Sequence, residues 1–149
     1  MGIDVSGTIA GLDLLAKRVD QATRQIVADV AHLFQAAGID EAPVGVSGNS
    51  TNAPGDLRRS IDVQGPTGRD GIYEALVGPT VVYGRQRELG GAIYPVTATF
   101  LRFEKFGVVY YRTRVFQEAN PYMKRGYVQT LPSIEPVARE RLRAAITGR

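Results

Sequence analysis

TFLRFEKFGVVYYRTRV, residues 99–115, is the stretch that decides how the middle of this chain folds. Two runs rich in β-branched and aromatic residues flank the tripeptide at 105–107, as is typical of paired strands. Gly107 suits the last loop position, where the backbone turns left-handed. The pattern predicts a β-hairpin with a three-residue loop in which Phe103 faces Val109. This register separates an apolar face from a polar one.

The predicted polar face of the hairpin carries three arginines and a tyrosine, which are Arg102, Tyr110, Arg112 and Arg114. The guanidinium group is planar and donates bidentate hydrogen bonds, so arginine is well suited to protein interfaces. The face is either the solvated side of a half-buried sheet or an intersubunit surface. We take its arginines as candidate interface residues. A small DNA-binding module, with the tyrosines as stacking platforms, is the alternative from another class.

The N-terminal part of the chain predicts one long helix over residues 8–37. Gly38 follows in the position where glycine usually ends a helix. The apolar residues recur at spacings of three and four and form one narrow stripe, which consists of Leu12, Leu15, Val19, Ala22, Ile26, Val30, Leu33 and Ala37. So narrow a stripe predicts packing against a sheet or a neighbour.

The centre of the chain combines a long loop with short β-strands. Residues 38–56 are rich in Gly, Pro, Ser and Asn and predict an exposed, flexible loop. Residues 57–63 alternate partly, as a strand does, although a helical turn also fits their start. Residues 72–77 are apolar on both faces apart from one glutamate, which predicts a central strand stopped by Gly78-Pro79. Residues 82–89 predict a short helical turn.

The C-terminal part predicts two further helices. Asn120-Pro121 is a good helix start, with proline at the first helical position, and opens a short helix to about Leu131. Two prolines, at 132 and 136, then predict the entry to a second helix. Its C-terminal end is basic and offers three more candidate interface residues, Arg139, Arg141 and Arg143. Arg141 lies close to the apolar stripe, so it should snorkel or meet a carboxylate of a partner.

Charge is distributed unevenly along the chain. Residues 1–50 carry three basic and six acidic groups, whereas residues 101–149 carry ten basic and four acidic groups. Arginine supplies fifteen of the eighteen basic side chains, a preference that a GC-rich genome also produces. This separation of acidic from basic residues along the chain suits subunits that stack head to tail, with an acidic face against a basic face.

The residue inventory argues against the common enzyme classes. The chain has no cysteine and one histidine, His32, so thiol nucleophiles, thiolate metal sites and a histidine-based zinc or iron site are not expected. Two glycine-rich motifs typically bind phosphate, Gly-x-x-x-x-Gly-Lys-Ser/Thr and Gly-x-Gly-x-x-Gly. Neither is found after a predicted strand of this chain. No apolar run is long enough to span a membrane, and no signal-peptide pattern opens the chain. We expect a protein without catalysis, metal or cofactor, and one that is soluble at synthesis.

Four short motifs follow one another in a fixed order: APGDLRRSI at 53–61, VGPTVVY at 77–83 leading to QRELGG at 86–91, IYP at 93–95 before the 101–103 strand, and NPYMKR at 120–125. Together they resemble the tail-completion (neck) proteins of tailed bacteriophages, a family that includes the minor-tail-protein-Z-like morphogenesis proteins. Pro54 stands where that family more often has threonine, and Leu89 replaces an aromatic residue. The order covers most of the chain.

The resemblance implies one α+β domain over residues 1–149. Its central antiparallel sheet would bear a long β-hairpin and be packed by a long N-terminal helix and C-terminal helices. It implies a structural virion protein, made in the host cytoplasm, that forms a ring, expected to be hexameric, at the junction of head and tail. Expected partners are further copies, the tail terminator and the stopper or adaptor proteins, with DNA passing through the lumen without sequence-specific binding. A tail terminator or head–tail adaptor is the nearest alternative.

The matched motifs add four candidate interface residues: Arg58, Arg59, Glu88 and Tyr122. We read Gly90 and Gly91 as the residues of a tight turn. Glu88 would then hold that turn or form an ion pair with an arginine of the next subunit.

Overall fold

A computed structural model describes residues 6–45, 53–105 and 107–148 and confirms the α+β class. The helices are α1 (Ser6–Glu41), α2 (Asp56–Arg59), α3 (Tyr83–Leu89) and α4 (Tyr122–Thr147). The strands are β1 (Ile61–Arg69), β2 (Ile72–Pro79), β3 (Gly91–Ile93), β4 (Leu101–Lys105), β5 (Val108–Arg112) and β6 (Val115–Gln117). Among these residues the expected sheet is divided into three two-stranded pairs, β1–β2, β3–β6 and β4–β5.

The described residues group into two compact units. The first unit contains residues 6–34, 63–77 and 130–148, which include most of α1, the β1–β2 hairpin and the C-terminal part of α4. The second unit contains residues 35–45, 53–62, 78–105 and 107–129, which include the remaining helices and the other two strand pairs.

In the first unit, Asp20 of α1 holds the turn of the β1–β2 hairpin. One carboxylate oxygen accepts a hydrogen bond from the backbone N–H of Gly71, and the other accepts one from the hydroxyl of Tyr73, both at 2.7 Å. The Asp20 hydrogen bond raises the pKa of Tyr73 above its ordinary value. Asp70 and Gly71 both have positive φ, at 55° and 78°, as the two-residue turns that fit the twist of a hairpin require.

In the second unit, Gly38 lies inside α1 and does not end it, so this part of the prediction was wrong. The helix continues past Gly38 to Glu41. Gly38 lies instead at a close contact between α1 and α4. A Cβ on Gly126 of α4 would lie 2.8 Å from the Gly38 nitrogen and 2.9 Å from the Ala37 carbonyl carbon. Only glycine at position 126 allows the two helix backbones to approach so closely.

The C-terminal region forms one helix where two were predicted. Pro132 and Pro136 lie inside α4, and both are exposed. A proline inside a helix removes one hydrogen bond to the carbonyl four residues earlier. Water can solvate the two released carbonyls at these exposed positions, so the helix continues through both prolines.

The predicted central strand is also corrected. Among the described residues β2 is hydrogen-bonded only to β1, and Ile72 and Leu76 on one of its faces are 80% and 68% exposed. The strand ends at Pro79, within the Gly78-Pro79 pair that was predicted to stop it. Residues 56–59 form the short helix α2, which confirms the helical alternative for the start of this region.

Residues 38–41 of the predicted loop belong to α1, and residues 53–55 precede α2. The intervening residues 46–52 lie outside the described part of the chain. The short helical turn predicted before Gly90 is confirmed as α3.

Candidate assembly surface

The β4–β5 hairpin forms where it was predicted, but with a different register. Phe103 is opposite Tyr110, and Lys105 is opposite Val108, which leaves a two-residue connection. Our pairing of Phe103 with Val109 was therefore wrong by one residue. The Phe103 and Tyr110 rings stack at 5.5 Å between centroids. Because neither face of a two-stranded pair is fully buried, the apolar pattern specifies the register only weakly. The contact between the two rings then favours the observed register, in which Phe103 is opposite Tyr110.

The shift separates the arginines that were predicted to share one face. Arg112 lies on the Phe103 side, with its guanidinium 5.9 Å from the centroid of the Tyr110 ring. Arg102 is opposite Tyr111 and points to the other side. Arg114 lies beyond the end of β5. The flat cationic face is absent, and with it the main support for a DNA-binding module.

Arg58, predicted for an interface, binds the C-terminal end of α1 within the second unit. Its Nε donates to the carbonyl of Ala42 at 2.7 Å, and a terminal nitrogen donates to the carbonyl of Asp40 at 3.1 Å. The last carbonyls of a helix have no partner within the helix and carry partial negative charge, so a guanidinium satisfies them well. Arg58 thus stabilises the subunit itself.

Glu88 binds the N-terminus of α4. Its two carboxylate oxygens accept hydrogen bonds from the backbone N–H groups of Met123 at 2.9 Å and Lys124 at 3.1 Å. The carbonyl of Pro121 accepts the first helical bond, and proline has no side chain that could cap the helix. Glu88 therefore supplies the cap from α3, together with the negative charge that a helix N-terminus favours. Within this chain the Glu88 carboxylate binds α4 and not the Gly90-Gly91 turn.

Tyr122 belongs to the core of the second unit, and its assignment to an interface is wrong. Its side chain is fully buried, at 0% exposure. The hydroxyl donates to the carbonyl of Gly84 at 3.3 Å. Burial raises the pKa of Tyr122 to about 12. The pattern of one proline and one aromatic residue at a helix start gave no sign that the ring would point inward.

Arg141 finds its carboxylate within the first unit. Its Nε donates to Asp29 of α1 at 2.7 Å, and this hydrogen bond raises the pKa of Arg141. Arg141 was predicted to snorkel or to meet a carboxylate of a partner, whereas the carboxylate that it meets belongs to α1 of the same chain. In the second unit, Arg125 and Gln129 bind Glu41 in a similar way, both at 2.6 Å.

The remaining candidate arginines are exposed. Arg59 pairs with Asp56 at i,i+3 spacing, and Arg139 pairs with Glu135 at i,i+4 spacing. Exposed ion pairs of this kind contribute about 0–1 kcal/mol to stability, so each arginine can readily leave its carboxylate and bind another group. Arg143 makes no ion pair with the described residues. All three are available to a partner.

The most extensive surface feature is apolar and was missed by the charge-based reasoning. In the described part of the chain, only six apolar residues are buried, and three of them are alanines. Many large apolar side chains are exposed, and the largest exposures belong to Val82, Val96, Ile72, Phe116, Leu76, Leu89, Ile146 and Leu12. Ile72 and Leu76 share one exposed face of β2, and a local apolar cluster of this kind can mark a protein contact. Two features of the sequence could have indicated this exposure of apolar side chains: the narrow apolar stripe on α1 and the short length of the strands.

The described residues offer no candidate metal centre. His32 is exposed on α1. No three His, Cys, Asp or Glu side chains in the described ranges converge as metal ligands would. None of the helices seen in these ranges is long and apolar enough to cross a membrane.

Comparison with known proteins leaves the resemblance unsupported by an independent match. The chain matches no protein-family model, no curated protein and no solved structure.

Proposed function

We propose that this protein is a structural subunit of the neck of a tailed bacteriophage. Copies of the chain form a ring, which we expect to be hexameric, that completes the tail and joins it to the head connector. The tail terminator and the stopper or adaptor proteins contact the ring, and DNA passes through its lumen without sequence-specific binding. The order of the four motifs along the chain is the reason for this choice of assembly.

One structural observation carries the assembly part of the proposal. The described residues bury six apolar side chains, whereas large apolar side chains are exposed on both compact units. At about 25 cal/mol per Å² of apolar surface, covering these side chains in an assembly contributes favourable free energy that the isolated chain lacks. No catalytic step is needed, because the function is the sum of modest contacts around a closed ring.

The role is tested by removing the gene from a phage that encodes the chain. Negative-stain images of the lysate should show filled heads and separate tails, and supplying the intact chain in trans should restore joined particles. Purified chain should be monomeric or weakly associating, and virions should contain it in a multiple of three or six. Normal infectious particles without the chain would contradict the proposal.

A further inference from the structure

The β4–β5 hairpin, here called the arm (residues 101–112), is open to contact on both faces. Phe103, Val108 and Tyr111 are 37%, 52% and 58% exposed and include side chains from both sides of the hairpin. β4 and β5 pair with each other and with no third strand among the described residues. The arm therefore presents aromatic and aliphatic side chains that the rest of the described chain does not cover.

The arm is also basic. Arg102 and Arg112 are exposed, and neither forms an ion pair with the described residues. The one hydrogen bond from the Arg112 guanidinium goes to the neighbouring carbonyl of Tyr111, at 3.1 Å. Glu104 is the single carboxylate of the arm. Aromatic residues and arginine are the types enriched at protein interfaces.

A complementary surface lies in the first unit. Beside α1 is a groove of about 460 Å³, here called the α1 groove, whose apolar lining includes Leu12, Leu15 and Val19. Asp20 and Asp70 also line the groove, and no cationic side chain does, although the exposed Arg69 lies 3.8 Å from the Asp70 carboxylate. Leu12 is 61% exposed, so much of this apolar surface remains uncovered. The lining of the α1 groove thus combines apolar side chains with two carboxylates.

We propose that the arm of one copy occupies the α1 groove of the next copy. The inference rests on the proposed function, in which the chain assembles with copies of itself. Apolar arm side chains meet the apolar lining of the groove, and Arg102 or Arg112 meets the carboxylates of Asp20 and Asp70. The match of basic arm with acidic groove is what selects a second copy as the occupant, since one chain offers both halves.

The contact has a definite symmetry. Arm and groove are different surfaces, so each copy uses its arm on one neighbour and its groove on the other. Such a heterologous contact produces a closed ring when the rotation between copies divides a full turn, and an open filament otherwise.

The absence of cysteine from the chain permits a direct test. Two single variants, Val108→Cys in the arm and Leu12→Cys in the groove, are purified with different tags, mixed, and treated with a short bismaleimide. Both sites are exposed, so the substitutions should leave the fold intact. We expect a crosslinked dimer that carries both tags. Val128→Cys, at a site that is 55% exposed on α4, replaces Leu12→Cys in the matched control and should give only background.

The charge component is tested by adding both Arg102→Glu and Arg112→Glu to the Val108→Cys variant, because either arginine can meet the carboxylates of the groove. Like charges at an interface oppose binding, so the dimer yield at low salt should fall on the order of tenfold or more. A yield that stays unchanged, or a yield in the Val128→Cys control equal to that with Leu12→Cys, would overturn the inference.

The inference and the proposed function can fail separately. A ring on virions combined with no arm–groove crosslink would refute the contact and leave the neck role in place. A specific crosslink in a chain that the phage does not need for joined particles would refute the neck role and leave the contact in place.

Discussion

Gly126 of α4 lies directly against Gly38 of α1, with 2.8 Å between the position of a Gly126 Cβ and the Gly38 nitrogen. The two glycines are not equivalent. A Cβ on Gly38 would first meet the sulfur of Met123, at 3.1 Å, which belongs to a flexible side chain. A Cβ on Gly126 would meet helix backbone, which cannot move aside without shifting the whole helix.

Gly126→Ala should therefore destabilise the subunit by about 1–3 kcal/mol, as overpacking of a close contact does. The free energy of unfolding, measured by urea denaturation, checks this value. Gly38→Ala should cost clearly less, because Met123 can adopt another rotamer.

Gly11→Ala is the control for helix propensity. Gly11 lies in α1 with nothing within 4 Å of a new Cβ, so this substitution should stabilise the helix by up to about 1 kcal/mol. Equal effects of Gly126→Ala and Gly11→Ala would contradict the close helix contact.

Removing the Glu88 carboxylate should weaken the start of α4. Glu88→Ala leaves the N–H groups of Met123 and Lys124 without their acceptor and should cost about 0.5–2 kcal/mol in thermal or urea unfolding. Glu135→Ala is the matched control, because Glu135 makes only an exposed ion pair worth about 0–1 kcal/mol. If Glu135→Ala proves the more costly of the two, Glu88 does not cap the helix.

The buried phenol of Tyr122 should make the protein sensitive to alkaline pH. Its pKa of about 12 lies above the ordinary value of 10.0, since burial disfavours the charged form. The neutral phenol therefore contributes its full stability below pH 10, and this contribution is lost as the pH rises from 10 through 12.

The variant Tyr122→Phe cannot ionise, so its unfolding free energy should fall less steeply over this range than that of the native chain. Below pH 10 it should be less stable by roughly 0.5–1.5 kcal/mol, because the hydrogen bond to Gly84 is lost. Tyr94→Phe is the matched control, because it changes an exposed ring and leaves the buried phenol of Tyr122 in place. Parallel pH profiles for the native chain and Tyr122→Phe would rule out this origin of alkaline sensitivity.

Asp20→Ala should release the β1–β2 turn from α1. Both hydrogen bonds to Gly71 and Tyr73 depend on the Asp20 carboxylate, and bonds to charged groups contribute about 1.5–3 kcal/mol. Amide hydrogen exchange at Gly71 should accelerate by about tenfold or more, since 1.4 kcal/mol corresponds to a factor of ten. Asp13→Ala, one heptad earlier on α1, should leave that exchange rate unchanged. Unaltered exchange in Asp20→Ala would show that other contacts hold the turn.

Local patterns predicted most of the helices and the hairpin correctly. The three- and four-residue spacing located α1, and the β-branched and aromatic runs around Gly107 located β4 and β5. These elements are determined by residues that lie close together in sequence. Hydrophobic periodicity is a pattern of such residues, so it can predict these elements. The Asp70-Gly71 turn was an equally strong local signal for the β1–β2 hairpin, and it was overlooked.

The errors concern residues whose roles depend on distant parts of the chain. Gly38 reads as a helix end until Gly126 is known to lie beside it. Glu88 and Arg58 read as surface charges, although each binds a helix terminus more than ten residues away. The assembly surface is the hardest part to predict, because its apolar side chains resemble core residues until the fold leaves them exposed.

The small buried core couples the lifetime of the subunit to its partners. A ligand that binds only the folded state stabilises it by RT ln(1 + [L]/Kd), and in the proposed assembly the ligand would be a second copy or a neighbouring neck protein. We expect the melting temperature of the purified chain to rise with its own concentration. Surplus copies in the host would unfold and be degraded sooner than assembled ones, so that mass action keeps the supply of subunits matched to the number of growing particles.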